Sequence, residues 1–136
     1  MSTDLRLRVV TPSGPVVDIS ASSITACSDV GEFCVLPEHR PILAALKPGR
    51  FMFESGGENR IYVMDVGFFE GGMDHANVMT QHCVPLSTVL SMVEDLRHER
   101  DELTGELAAL EDDSPARTTL SSRLQWVEAQ LTVAQQ

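Results

Sequence analysis

No stretch of this sequence approaches the roughly 20 consecutive apolar residues that a membrane-crossing helix requires. Residues 1–7 also lack the basic-then-apolar run of an export signal, so a cytosolic protein is expected. Cysteine is scarce: Cys27, Cys34 and Cys83 are odd in number and without C-x-x-C spacing. That pattern argues against a disulfide framework and a structural zinc knuckle, and fits free thiols in a reducing compartment. Aromatic residues make up only 5% of the chain, so aliphatic packing is expected to dominate the interior. Basic residues are outnumbered, 10 Lys and Arg against 20 Asp and Glu, for a net charge of −10. Such a chain repels phosphate backbones and anionic lipid, which disfavours nucleic acid and direct membrane contact. Catalytic phrases are missing too: there is no G-x-x-x-x-G-K-[ST] phosphate loop, no G-x-S-x-G and no H-E-x-x-H.

What is present suits a folded protein of 136 residues with one sizeable core, 43% hydrophobic and 22% charged. In Leu5-Arg6-Leu7-Arg8-Val9 apolar and charged side chains alternate with period two, the pattern of a half-buried strand. Thr11-Pro12-Ser13-Gly14 supplies a turn, and β-prone runs follow at residues 16–19 and 24–27. Asp29-Val30-Gly31-Glu32 links the second of these to Phe33-Cys34-Val35-Leu36 as a hairpin that Pro37 ends. Further short runs at 42–46, 51–53, 61–64, 68–69 and 76–80 are separated by Lys47-Pro48-Gly49, by Ser55-Gly56-Gly57-Glu58-Asn59 and by Gly71-Gly72. Short strands at this spacing predict an antiparallel β-sandwich or barrel over residues 1–85.

After Pro85 the period changes. Leu86, Leu90, Val93, Leu96, Leu103, Leu107 and Leu110 recur at steps of three and four with Arg100 in the stripe, which predicts one helix of about seven turns. Asp112-Asp113-Ser114-Pro115 interrupts it, with Ser114 as an N-cap and Pro115 at the first helical position of a second helix. The second stripe is Leu120, Leu124, Val127, Leu131 and Ala134. Either stripe alone would be left in water, so residues 86–136 are expected to form an antiparallel helical hairpin. Trp126 lies one residue outside its stripe and is expected to pack the hairpin against the sandwich. Six basic and ten acidic residues leave residues 1–85 at −4; four and ten leave residues 86–136 at −6, a density that fits a solvated helical face.

The run from Gly31 through Glu32-Phe33-Cys34-Val35-Leu36-Pro37-Glu38-His39-Arg40-Pro41 to Lys47-Pro48-Gly49 closely resembles the signature stretch of the epsilon subunits of F-type ATP synthases. Leu7-Arg8-Val9-Val10-Thr11-Pro12 is similar to that family's first strand, Val66-Gly67-Phe68-Phe69-Glu70 to a later one, and the terminal helices to its C-terminal domain. The resemblance implies a non-catalytic central-stalk subunit that turns with the gamma subunit and couples ion-driven rotation of the c-ring to the α/β catalytic head. It implies gamma on one sheet face and c-ring contacts at the matching positions Thr11, Glu32 and His39. It also implies a peripheral place in the complex at the cytoplasmic face of the bacterial inner membrane, and helices that either fold on the sandwich or extend along gamma to restrain ATP hydrolysis.

This chain departs from the family in three places. Many bacterial members bind ATP through an apolar-Asp-x-x-Arg-Ala motif at the start of the hairpin, where this sequence has Val89, Leu90, Ser91, Met92, Val93 and Glu94. With neither Asp nor Arg there, no ATP or other cofactor is expected. The last helix offers only Arg117 and Arg123 to an acidic partner, which favours a packing role over an inhibitory one. The Phe33-Cys34 pair is similar to the alternate, sodium-associated branch of these ATPases.

Two other readings compete. One is a free-standing adaptor whose hairpin recruits another helical protein. The other is a small β-barrel metalloenzyme drawing on His39, His75, His82, Cys27, Cys34 or Cys83, although no pair of these has regular metal-ligand spacing.

Overall fold

The computed structural model describes residues 4–136; residues 1–3, which the sequence reading includes in the sandwich, lie outside that range. The strands are β1 Leu5–Thr11, β2 Gly14–Ala21, β3 Ser23–Ser28, β4 Gly31–Val35, β5 Ile42–Leu46, β6 Gly49–Ser55, β7 Glu58–Met64, β8 Gly67–Gly71, β9 His75–Thr80 and β10 Cys83–Pro85. The helices are α1 Leu86–Ser91, α2 Val93–Ala109 and α3 Ala116–Ala134.

Hydrogen bonds join the strands in the order β10-β7-β6-β3-β5-β8-β9-β1-β2, with β4 attached to β3. The pairing of β1 with β9 is parallel, and the others described are antiparallel. The path folds back on itself into two facing layers. Beside β2 the Ser22 N–H donates to the Glu54 carbonyl at 2.8 Å, and the Ser55 hydroxyl donates to the Ser20 carbonyl at 2.7 Å. Pro15 is tolerated because β2 ends the path, where an unpaired N–H side is available. Gly31 takes φ 128, a conformation that side chains with a Cβ rarely adopt, and so turns β3 into β4.

Alternation places Leu5, Leu7 and Val9 of β1 inside, against Ile24, Phe51, Phe53, Phe69 and Val78. The scarce aromatics are concentrated in this core: Phe51, Phe53 and Phe69 are among its largest fully buried side chains, and Phe33 meets Phe69 edge-on at 5.3 Å. Each such ring contributes about 2–3 kcal/mol by burial, so the interior is less purely aliphatic than composition suggests.

The helical segment differs from its expected form at three points. Met92 leaves helical geometry at φ −114, ψ 10 and donates its N–H to the Val89 carbonyl, so the single long helix is broken into α1 and α2. The buried stripe therefore runs through Val89, which is 0% exposed, and not through Leu90, which is 52% exposed. Ser114 does not cap α3 with its side chain; Pro115 opens the helix at φ −60, ψ −30. Arg117 instead donates to the Leu107 carbonyl at 3.2 Å, which also accepts the Leu110 N–H, and so ties the start of α3 to the end of α2.

A second, smaller apolar cluster joins the two parts. Val89, Leu96, Leu103, Trp126, Val127, Leu131 and Val133 pack together with Val63 of β7, and Val84 of β10 lies against them. Trp126 is the joint: it is 3% exposed, and its ring stacks on His82 with centroids 5.2 Å apart and planes 15° apart.

Candidate partner-docking surface

Thr11 ends β1. Its hydroxyl donates to the Gly14 carbonyl and accepts the Ser13 N–H, both at 3.2 Å, so it ties the β1–β2 turn while remaining partly exposed. Glu32 stands one residue into β4 opposite Cys27, with its carboxylate 3.6 Å from the Arg50 guanidinium. It borders a recess shared with Lys47, Gly49, Thr132 and Gln136, at the end of α3. His39 sits in the β4–β5 loop, its Nδ1 on the Arg40 carbonyl and its buried Nε2 without a partner. That loop is tied to the β8–β9 connection by the Glu38 N–H, which donates to the Met73 carbonyl at 2.7 Å, with Glu38 at φ 70.

These three residues do not form one cluster. Thr11, the β3–β4 turn at Asp29, Leu46, Gly67 and Thr80 meet at one end of the sandwich around a groove of about 610 Å³. Glu32 lies toward that end because it pairs with Cys27 near the same turn. β4 then carries the chain across the sandwich at about 3.3 Å per residue. His39 consequently lies at the opposite end, beside Gly71 and Met73.

A surface feature that the motif reading did not anticipate adjoins Thr11. Val10 pairs with Met79, Met79 with Phe68, and Phe68 with Ala45, so four neighbouring strands present one continuous outward rung of apolar side chains. Phe68 is 57% and Met79 64% exposed. Its signal is present in the sequence: Val9-Val10, Phe68-Phe69 and Val78-Met79 put two consecutive apolar residues in strands that otherwise alternate. The next rung is polar on three strands, with Arg8 opposite Asn77 and Asn77 opposite Glu70, and ends at the exposed Leu43 opposite Glu70.

Beyond it the charges are paired. His75 Nε2 lies 2.9 Å from Glu70 and Nδ1 3.0 Å from Asp74; Asn77 donates to the second Glu70 oxygen at 3.0 Å. The hydrogen bond that His75 donates to Glu70, then the one it donates to Asp74, raises the His75 pKa. The bonds from His75 and Asn77 lower that of Glu70. Arg6 and Asp18 pair at 2.7 Å across β1 and β2. His39, His75 and His82 occupy separate places, and among the described residues no three His, Cys, Asp or Glu side chains converge as a metal site would need. The thiols are free; Cys34 is exposed, while burial raises the pKa of Cys27 and pushes that of Cys83 up to about 12.

Comparison with known proteins identifies the family of the sandwich. Residues 4–86 match the family described as ATP synthase, Delta/Epsilon chain, beta-sandwich domain. The chain is 30% identical over 77 residues to the ATP synthase epsilon chain of Bacillus subtilis, covering 57% of this chain and 58% of that one. It is 33% identical over 81 residues to that of Geobacter metallireducens, covering 60% and 59%. It thus spans 58–59% of the length of these curated relatives. The fold is similar to a chain of the Euglena gracilis mitochondrial ATP synthase structure (OSCP/F1/c-ring), with TM-score 0.68, 21% identity and coverage of 100% and 84%. It is also similar to one from the Tetrahymena thermophila mitochondrial ATP synthase central stalk and c-ring, with TM-score 0.59, 14% identity and coverage of 96% of each chain. With more than half of its length matched to the sandwich domain, this chain belongs to the ATP synthase delta/epsilon chain family.

Proposed function

We propose that this chain is a non-catalytic central-stalk subunit of an F-type ATP synthase, turning with the gamma subunit and coupling rotation of the c-ring to the α/β catalytic head. The observation that carries the reading is the apolar rung Val10–Met79–Phe68–Ala45 on the outer face of the sandwich, directly beside the Thr11 end. Exposed apolar side chains aligned over four strands are the composition of a covered face. Gamma occupies that face in this reading, and the end carrying Thr11 and the Asp29–Glu32 turn meets the polar loops of the c-ring. His39, at the far end, falls outside the ring-facing rim.

A clamp between rotating parts needs a stiff body more than a chemical group, and the closed, fully cored sandwich supplies one. The hairpin serves as packing in its docked position. Arg117 and Arg123, its candidate contacts to an acidic partner, are both engaged internally, on the Leu107 carbonyl and on Glu99. No nucleotide is assigned to the hairpin, and Val89, where a nucleotide motif would align, is fully buried. Among the described residues no helix is long and apolar enough to cross a membrane. The reading gives the chain a peripheral place in the complex, at the cytoplasmic face of the bacterial inner membrane.

The test is affinity capture of the tagged chain from membranes of its source cell. Recovery of gamma, α, β and c subunits is the expected result. Recovery of one unrelated helical protein would replace this reading with that of an adaptor.

A further inference from the structure

We propose that Arg8 is the specificity-determining residue of the apolar face, taking one Asp or Glu carboxylate of the gamma subunit. The inference rests on the reading that gamma covers this face, and adds which chemistry gamma must present there. Arg8 is exposed and points outward from β1 between Arg6 and Val10. It stands two residues, about 7 Å, from the Val10 end of the apolar rung. The groove at the Thr11 end opens on one side of that rung and Arg8 lies on the other.

The carboxylates beside Arg8 are already engaged. Asp18 stands directly across from it on β2, yet the Asp18 carboxylate is held by Arg6 Nε at 2.7 Å. Asn77 stands across from it on β9, and the acid beyond in the same rung, Glu70, is bound by both His75 and Asn77. Two guanidiniums thus meet one carboxylate, and among the described residues Arg8 makes no ion pair of its own. The result is a local surplus of positive charge on a chain whose net charge is −10.

Covering the rung removes water from Arg8 as well. A guanidinium desolvated without a counter-charge opposes binding, whereas one met by a carboxylate through two parallel hydrogen bonds favours it. Gamma therefore presents an acidic side chain about 7 Å from the apolar group that it sets on Val10, Met79 and Phe68. Side chains one turn apart on a helix, or two residues apart on a strand, have about that spacing. A basic residue of gamma at the same place would be repelled, so Arg8 selects its partner as well as holding it.

The test compares the affinity of the purified full-length chain for gamma in complex with the α/β head, with urea midpoints confirming that each variant folds. Arg8→Gln is expected to weaken binding about 10- to 100-fold at low salt and to flatten its salt dependence. Arg8→Glu should weaken it further, because two carboxylates would then face each other. Arg60→Gln removes an equal charge from an exposed position on β7, far from β1 in the strand order, and should leave affinity within about twofold. Unchanged affinity of Arg8→Gln beside a weakened Phe68→Asp would overturn the carboxylate contact and leave gamma on this face. A loss at Arg60→Gln as large as that at Arg8→Gln, or binding by Arg8→Glu as tight as by Arg8→Gln, would overturn it too. Unchanged affinity of Phe68→Asp would remove the face itself and the contact with it.

Discussion

Arg123 of α3 grips Glu99 of α2 with two hydrogen bonds, Nε to Oε2 at 2.6 Å and Nη2 to Oε1 at 3.1 Å, and so fastens the hairpin to itself across 24 residues of sequence. Both side chains remain partly exposed, at 45% and 31%. A two-pronged pair in such a setting is worth about 0.5–1 kcal/mol and weakens with salt. In a double-mutant cycle of Arg123→Ala and Glu99→Ala read by urea unfolding, a coupling of that size at low salt is expected, shrinking at 1 M salt. Arg123→Lys should recover less than half, because an ammonium cannot supply the fork.

Two glycines should respond with opposite signs. A Cβ on Gly67 would lie 2.0 Å from the Met79 carbonyl oxygen and 2.8 Å from the Thr80 Cα, both backbone atoms. Gly105, in the exposed face of α2, has nothing within 4 Å. Gly67→Ala is expected to destabilise by about 3 kcal/mol or more, since β8 or β9 must move. Gly105→Ala should stabilise by about 0.5–1 kcal/mol through helix propensity. Urea midpoints at unchanged slope check both.

Much of this architecture is legible in local sequence, because period-two alternation and turn residues act over a few positions. Leu5-Arg6-Leu7-Arg8-Val9, the turn at Gly31 and the change of period after Pro85 each correspond to an observed strand, hairpin or helix start. What local pattern misses depends on distant partners. β10 is three residues long and exists because Cys83–Pro85 pairs with β7, a contact no periodicity records. Leu86, Val89, Val93 and Leu96 are spaced as well as the stripe through Leu90, and only packing against Val63 and α3 selects Val89. His39 is close to Glu32 in sequence but not in space, since an intervening strand converts a short separation into the width of the sandwich. The apolar rung arises from four strands of distant sequence position, so only the register brings Val10, Met79, Phe68 and Ala45 together.

The His75 cluster gives a pH dependence with a defined sign. Its partners raise the His75 pKa, so the stabilisation is complete below the ordinary value of 6.5 and is lost as pH rises through the folded value. Glu70 is lowered, so its share is present above 4.5 and is lost as pH falls through its own folded value. An NMR titration of the His75 ring should have its midpoint above 6.5, and Glu70→Gln should bring that midpoint down. A midpoint unchanged by Glu70→Gln would mean that the pair at 2.9 Å does not persist in solution.

The apolar rung is the feature on which the functional reading stands, and Phe68 lies in its middle, exposed by 57% and flanked by Met79 and Ala45. Phe68→Asp places a charge there without touching the core, because the inward residue of that strand is Phe69. The most direct measurement is the affinity of the purified chain for a complex of gamma with the α/β head, for wild type and Phe68→Asp, with circular dichroism confirming the fold of each. Tight wild-type binding weakened about 100-fold or more by Phe68→Asp is expected, the scale of losing a central interface anchor. Equal affinity of the two proteins, or no binding by either, would contradict the assignment of this face to gamma.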